Sequence, residues 1–246
     1  MISGNHDNHC RSVHEHLHVI AIDGPAAAGK STVAQLLADR IGALLFDTGA
    51  LYRAVSLLAL RAHVDPGDAQ WLSSIAHGAH ITIRPATVRD GRLFDVLIDE
   101  EDVTWAVREP EVGEIVSRVS EHPEVRDALL PLQRRIAAAG PVVMVGRDIG
   151  SVVVPDAGLK IYLDASLEER ATRRYRESLA RGMDLTYGDV LHETRQRDTT
   201  DSSRDTAPLR AAPDAIRIET DALEVEEVVD LIDRLRRKRL LAQRPC

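Results

Sequence analysis

The composition of this 246-residue chain excludes several classes of protein. Hydrophobic residues make up 44% of it and charged residues 28%, which is too apolar a mixture for intrinsic disorder. The formal net charge of −8 argues against a broad nucleic-acid-binding surface, because such a surface needs a clustered excess of cations. No apolar run reaches about 18 residues, nothing resembles a signal peptide and the two cysteines lack metal-site spacing, so we expect a cytoplasmic protein without membrane contact. We also expect a monomer.

The amino-terminal residues are polar and rich in histidine. Half of the chain's ten histidines occur before the first apolar run, at spacings that match no standard zinc site. This pattern favours a disordered leader over residues 1–16, with metal binding as the alternative. Residues 241–246 are interpreted as a short tail.

Residues 24–31 read Gly-Pro-Ala-Ala-Ala-Gly-Lys-Ser, a complete G-x-x-x-x-G-K-S phosphate-binding loop (P-loop). An apolar run at 19–22 precedes it and a helical pattern follows, which is the strand-loop-helix order that the motif requires. In such a loop, backbone N–H groups surround phosphate oxygens, the lysine adds a positive charge and the serine hydroxyl can reach Mg²⁺. The residues predicted to bind a nucleoside triphosphate are Gly24, Pro25, Ala26, Ala27, Ala28, Gly29, Lys30, Ser31 and Thr32.

Strand and helix patterns alternate after the loop. A helix is predicted at about 30–41, a short buried strand at 43–46 and a second helix at 50–63, which together predict a parallel sheet covered by helices on both faces. The same patterns later predict strands at 141–145, 159–163 and 215–218, and helices at about 111–121, 124–139, 166 onward and 222–240. Pro131 should kink or break the helix that contains it.

Two excursions interrupt this core. Alternating apolar residues at 80–84 and 93–98, separated by Asp90-Gly91, predict an antiparallel hairpin, which an all-parallel core would not contain. We therefore predict a single P-loop α/β domain over 17–240, with its core at 17–64, 110–175 and 211–240, an inserted subdomain at 65–109 and a second excursion at 176–210.

Polar side chains follow two of the predicted core strands. Open parallel sheets bind their ligands at the carboxyl ends of the strands, so these residues are candidate ligand contacts. Tyr52 and Arg53 follow the second strand together with Thr48, which could alternatively serve only as a helix N-cap. Arg147 and Asp148 follow the strand at 141–145, where a structural ion pair is the alternative interpretation.

Residues 195–210 are rich in arginine, aspartate, serine and threonine. Such a run is usually a solvated loop, but here it follows a helix that carries Arg170, Arg173, Arg174 and Arg176. Two sets of guanidinium groups could therefore converge on phosphates when a flap closes. Ser117 and Arg126 lie on the helices before the strand at 141–145, and taken alone each is interpreted as an ordinary surface residue.

Taken in order, residues 24–31, 47–53, 146–157 and 197–209 resemble the bacterial cytidylate kinase family. The resemblance extends from about residue 17 to residue 235. It implies ATP-dependent phosphorylation of CMP and dCMP with Mg²⁺, on the nucleoside monophosphate kinase fold. The excursion at 65–109 would then be the monophosphate-binding insert, and residues 176–210 would be the lid.

The resemblance also implies roles for individual residues. The acceptor phosphate and sugar would be held by Thr48, Tyr52, Arg53 and Arg126. The cytosine would be contacted by Ser117, Arg147 and Asp148, and the pentose by Asp201. The catalytic residues would be Lys30 with the lid arginines Arg197 and Arg204, which would also contact CMP, and the Mg²⁺ ligand would be Ser31.

The chain departs from the family pattern at Val145, where many members have an acidic residue before Gly-Arg-Asp. If that carboxylate helps to hold the water shell of Mg²⁺, Asp23 or solvent must replace it here.

Three other functions are compatible with a phosphate loop. The nearest is a P-loop kinase for another small acceptor, such as UMP, AMP or shikimate. A GTPase switch is disfavoured because no Asn-Lys-x-Asp motif occurs. A non-catalytic nucleotide-binding scaffold is disfavoured by the presence of Lys30, Ser31, Arg197 and Arg204.

Overall fold

A computed structural model of the chain describes residues 17–180, 182–203 and 209–242. The predicted leader, Arg204 and most of the predicted tail lie outside these ranges. The chain divides into two compact units: the described residues up to Gly42 together with those from Val143 form the first unit, and Ala43–Val142 form the second. The finer division into core, insert and lid stays a prediction.

The described residues contain eight strands. They are β1 (Val19–Asp23), β2 (Leu44–Asp47), β3 (Ile81–Pro85), β4 (Phe94–Ile98), β5 (Glu101–Asp102), β6 (Val142–Val145), β7 (Leu159–Asp164) and β8 (Ile216–Glu219). A five-stranded parallel sheet has the order β2-β6-β1-β7-β8, and a three-stranded sheet has the order β3-β4-β5. The predicted α/β class with a parallel sheet is confirmed.

Eight α-helices connect these strands. They are α1 (Lys30–Ile41), α2 (Gly49–Arg61), α3 (Ala69–Gly78), α4 (Pro110–Glu121), α5 (Pro123–Ala138), α6 (Leu167–Ala180), α7 (Tyr187–Ser203) and α8 (Val225–Ala242). Within the described ranges, no helix is both long enough and apolar enough to cross a membrane.

The core of the first unit surrounds β1 and β7. Ile20 of β1 lies opposite Leu159 of β7, and Asp23 lies opposite Tyr162. All five residues of β1 are buried, as expected for a central parallel strand with both faces covered. Helix α8 packs against α1 and β7, and α6 packs against α7.

The second unit contains the predicted hairpin, since β3 and β4 pair in antiparallel register with Ile81 opposite Ile98. A buried carboxylate, not a tight turn, organises the connection between them. Asp95 accepts hydrogen bonds from the Thr87 hydroxyl at 2.7 Å, from Arg92 at 3.0 Å and from Arg84 at 3.1 Å. Although burial opposes the shift, these bonds lower the pKa of Asp95 to about 2.

Several elements differ from the sequence predictions. Helix α3 and the short strand β5 were not predicted, and α5 continues through Pro131 without a break. Pro131 is exposed, as is Asp127 one turn earlier, so water can satisfy the carbonyl that loses its N–H partner.

The expectation of a loop from residue 195 is wrong as far as residue 203, because α7 includes these residues. Val190 and Thr194 are fully buried on one face of this otherwise polar helix, and the Thr194 hydroxyl donates to the Val190 carbonyl at 2.7 Å. Packing against α6 therefore stabilises a helix that composition alone does not suggest.

We predict that Gly24→Ala lowers the free energy of unfolding by at least about 3 kcal/mol. Gly24 has φ +146°, and an added Cβ would lie 2.0 Å from the Leu163 carbonyl oxygen, which is backbone and cannot rotate away. Gly42→Ala is the matched control, since Gly42 also has positive φ (+65°) but no atom within 4 Å of the added carbon. Gly42→Ala should lower the free energy of unfolding, measured with urea, by only about 1 kcal/mol. Equal losses for the two variants would contradict the steric argument.

Candidate functional site

The phosphate loop begins directly after β1 and ends where α1 starts. Three of its residues have positive φ: Gly24 at +146°, Ala27 at +61° and Gly29 at +86°. Left-handed residues interspersed in a loop are typical of backbone N–H nests that bind anions. The predicted strand-loop-helix arrangement is therefore confirmed, and Ala27 adopts a conformation in which glycine is usual.

Lys30 lies at the first position of α1, and its side chain folds back over the loop. Its ammonium group donates to the Pro25 carbonyl at 2.5 Å. Ser31 and Thr32 are exposed on the same turn, which contains no acidic residue. The positive end of the helix dipole is thus available to an anionic group, as a phosphate site requires.

Asp23, the last residue of β1, is buried and binds a second loop of the first unit. Its two carboxylate oxygens accept hydrogen bonds from the backbone N–H groups of Ile149 and Gly150, each at 2.8 Å. Burial raises the pKa of Asp23 to about 6, with a contribution from the charge of Asp148, while the two N–H groups and Lys30 oppose the shift.

Arg147 and Asp148 lie between β6 and a single π-helical turn at Ile149–Val153. Gly146 donates its N–H to the Ile22 carbonyl at 3.2 Å, which places the start of this segment beside β1. The Asp148 side chain is buried. The backbone carbonyl of Asp148 accepts hydrogen bonds from the N–H groups of Val152 and Val153. Isolated π-turns occur frequently at functional sites.

Arg170 and Arg173 on α6 are held by protein acceptors. The buried Arg170 guanidinium donates to both carboxylate oxygens of Asp198 on α7, at 2.8 and 2.5 Å, and to the Ala26 carbonyl of the phosphate loop at 3.3 Å. Arg173 donates to Glu169 at 2.9 Å and to the Thr220 carbonyl at 2.8 Å. In this structure the two arginines therefore orient α7 and neighbouring backbone. Their convergence on phosphates when a flap closes stays a prediction.

Two of the three predicted lid residues, Arg197 and Asp201, lie within the described ranges. Arg197 is half-buried on α7, beside Asp198, and Asp201 belongs to the same helix. Arg204 lies outside the described residues.

In the second unit, the amino terminus of α2 positions Thr48 and Tyr52. The Asp47 carboxylate accepts the Gly49 N–H at 2.9 Å and so satisfies the start of the helix. Thr48 is buried at the N-cap position, but its side chain makes no capping hydrogen bond. Capping therefore does not explain this threonine.

A group of aromatic and cationic side chains lies near this helix terminus. The Arg126 guanidinium stacks 5.5 Å from the centre of the Tyr52 ring and donates to the Ser120 carbonyl at 3.3 Å. Arg53 donates to the Val107 carbonyl at 3.2 Å. Ser117 is exposed on α4 and takes no part in the stacking contact.

Arg108 is a cation of this unit that sequence reasoning missed. Burial lowers the pKa of Arg53, Asp47 opposes this shift, and the charge of Arg108 adds to it. Arg108 itself stacks on Trp105 at 5.3 Å and on Phe94 at 5.9 Å from the ring centres. The sequence contains only two tryptophans, and Arg108 follows one of them, Trp105, by three residues. This spacing was the signal that could have indicated a contact between the two side chains.

We predict that the stability difference between the wild type and Asp23→Asn depends on pH. A carboxyl group whose pKa rises from 3.8 to about 6 on folding contributes stability that is present below the lower value and lost as pH rises through the higher one. The wild-type advantage should therefore decrease by about 2 kcal/mol between pH 4.5 and pH 7. Urea unfolding at intervals of pH measures it.

Asp233→Asn serves as the control for this measurement. Asp233 is also buried. Burial acts to raise the pKa of Asp233, but Arg236 and Arg237 act more strongly in the other direction, and the pKa falls below 3.8. Asp233 therefore titrates at a lower pH than the range over which unfolding is measured. Its stability difference from the wild type should stay constant from pH 4.5 to pH 7. A pH-independent difference for Asp23→Asn as well would contradict the raised pKa.

The chain is similar to known proteins over most of its length. The family model described as cytidylate kinase matches residues 20–238. A cytidylate kinase from Herpetosiphon aurantiacus is 50% identical over 215 residues, which are 87% of this chain and 92% of that protein. Cytidylate kinases from Chloroflexus aggregans and Geobacillus kaustophilus are each 49% identical over 87% of this chain and over 91% and 93% of their own lengths. This chain belongs to the cytidylate kinase family.

Proposed function

We propose that this protein transfers the γ-phosphoryl group of ATP to CMP or dCMP, giving ADP and CDP or dCDP. The observation that carries the proposal is the buried Asp148 carboxylate, which lies in the unit that also holds the phosphate loop. Cytosine presents an exocyclic amino group that can donate to a carboxylate, whereas uracil presents a carbonyl oxygen at that position. An acceptor bound only through its phosphate would not require such a group.

The donor half of the reaction uses the phosphate loop. The backbone of Gly24–Gly29 would surround the phosphate oxygens, and Lys30 would exchange its bond to the Pro25 carbonyl for a bond to phosphate. This exchange is feasible because the ammonium group needs to move only within its own loop.

The residues present also fit a Mg²⁺ ion. Magnesium binds through few protein ligands and keeps water and phosphate oxygens, so the exposed Ser31 hydroxyl at the start of α1 is a suitable ligand. Among the described residues, no group of three or more His, Cys, Asp or Glu side chains is arranged to hold a metal. When bound, the ion would neutralise charge on the β- and γ-phosphoryl oxygens.

The acceptor half would use the residues that the family resemblance assigns to CMP. We assign Thr48, Arg53 and Arg126 to the CMP phosphate, and the Tyr52 ring supports the orientation of Arg126 through their stacking contact. Arg108 adds positive charge near Arg53. The cytosine would contact Ser117, Arg147 and Asp148, and the pentose would contact Asp201.

The transfer needs no covalent intermediate and no general base, because a phosphate monoester is already ionised at neutral pH. The CMP phosphate oxygen attacks the γ-phosphorus in line while Lys30, Arg197 and Arg204 neutralise the equatorial oxygens. An arginine supplied at this stage contributes about 10³ to 10⁵ in rate in other phosphoryl-transfer enzymes.

Lys30→Met should reduce the turnover number by roughly 10³-fold or more while CMP affinity, measured by isothermal titration calorimetry, changes little. Lys238→Met is a matched control, because Lys238 is exposed on α8 and should be dispensable. An equal loss of CMP affinity in Lys30→Met would contradict the separation of donor and acceptor halves.

The substrate is tested by measuring ADP release with CMP, dCMP, UMP, AMP and GMP. We expect CMP and dCMP to be the preferred acceptors. Asp148→Asn should lower kcat/KM for CMP by roughly 10- to 100-fold, with a smaller effect on UMP, because a charge-assisted hydrogen bond to the amine is lost. Preference for UMP or AMP in the wild type would instead support the alternative kinase function.

A further inference from the structure

Asp23 has no role in the function proposed above, yet it is among the most buried charged residues of the chain. Only 3% of the residue is exposed, and it immediately precedes the phosphate loop. Burying a carboxylate is costly unless hydrogen bonds compensate. The partners of Asp23 therefore indicate what this residue does.

Both partners belong to the segment that follows Arg147 and Asp148. The Asp23 oxygens accept the N–H groups of Ile149 and Gly150 separately, each at 2.8 Å, across 126 and 127 residues of sequence. Two neighbouring N–H groups bound to the two oxygens of one carboxylate fix the orientation of a backbone segment as well as its position. The Ile149 N–H belongs to the peptide bond that joins Asp148 to Ile149. The hydrogen bond to Asp23 therefore restrains the backbone of Asp148 directly.

The Lys160 side chain also packs against this segment at Gly150. A Cβ added to Gly150 would lie 3.0 Å from Lys160 Cδ and 3.4 Å from the nearer Asp23 oxygen, so glycine lets the backbone lie close to both side chains. Lys160 is itself fixed by an ion pair with Asp214 at 2.8 Å. The backbone that follows Asp148 is thus held by a buried carboxylate and packed against a restrained lysine side chain.

The two charges that act most strongly on Asp23 are those of Lys30 and Asp148. Asp23 therefore lies near both the donor lysine and the carboxylate assigned to the base. A role as an outer ligand of Mg²⁺ would direct Asp23 toward the phosphate loop. Its hydrogen bonds are instead directed toward the Asp148 segment.

We propose that Asp23 is a positioning residue that holds Asp148 in place for base recognition, so that Asp23 controls the choice of acceptor base without contacting it. This inference rests on the proposed function, since it assumes that Asp148 contacts the base.

The test compares the wild type with Asp23→Asn, which preserves the shape and one oxygen acceptor but places an amide group against the second N–H. Steady-state kinetics are measured with CMP and with UMP as acceptors, and with ATP varied. For CMP, kcat/KM should fall roughly 10- to 100-fold, mostly through KM, while UMP changes less than about threefold and KM for ATP less than about twofold.

Two further variants separate positioning from stability. Asp233→Asn removes a buried carboxylate elsewhere in the same unit and should leave the CMP-to-UMP ratio unchanged. Gly150→Ala leaves the Asp23 carboxylate in place but crowds the same backbone against Lys160 and Asp23, and should also reduce the ratio. It provides the test if Asp23→Asn does not fold.

Equal losses for CMP and UMP in both Asp23→Asn and Gly150→Ala, or a selective increase in KM for ATP, would overturn the positioning role. Neither result would affect the proposed function, which depends on wild-type acceptor preference. Absence of phosphoryl transfer to every acceptor would overturn both proposals.

Discussion

The close approach of Gly24 to β7 is the constraint on which the phosphate site depends. With an added Cβ only 2.0 Å from the Leu163 carbonyl oxygen, no larger residue fits where the chain leaves β1. The loop can therefore turn immediately at the end of a fully buried strand and return to start α1 at Lys30. A strand end buried on both sides gives the loop a fixed base, which is what a preorganised anion site requires.

The same position creates an electrostatic problem, because the residue before Gly24 is an aspartate. An uncompensated carboxylate beside a phosphate site would repel the ligand. The backbone N–H groups of Ile149 and Gly150 offset its negative charge, and Lys30 adds a positive charge nearby. The site thus combines a binding loop for an anion with a buried acidic residue whose hydrogen bonds are directed away from that loop.

Local patterns in the sequence predicted much of the fold. The phosphate loop, the parallel strands and the β3–β4 hairpin have short-range signatures and were predicted correctly. The helical state of residues 195–203 was not, because it depends on the packing of Val190 and Thr194 against α6. The partners of Asp23 and Arg170 were also unpredictable, since each pairing joins segments that are far apart in sequence.

The candidate site shows the same limit. Motif matching assigned residues to a donor and an acceptor half, but it did not indicate which protein groups each arginine contacts. Arg170 donates to Asp198 and to the Ala26 carbonyl, whereas Arg126 donates to the Ser120 carbonyl and stacks on Tyr52. This difference depends on which acceptors fold against each guanidinium, and spacing alone contains no information about it.

The distribution of aromatic residues gives the protein a built-in optical probe. Both tryptophans, Trp71 and Trp105, belong to the second unit, and Trp105 lies beneath the Arg108 guanidinium. Intrinsic tryptophan fluorescence therefore reports on the second unit, while far-ultraviolet circular dichroism reports on the helices of both units. Comparison of the two signals during denaturation would reveal whether the units unfold together or one after the other.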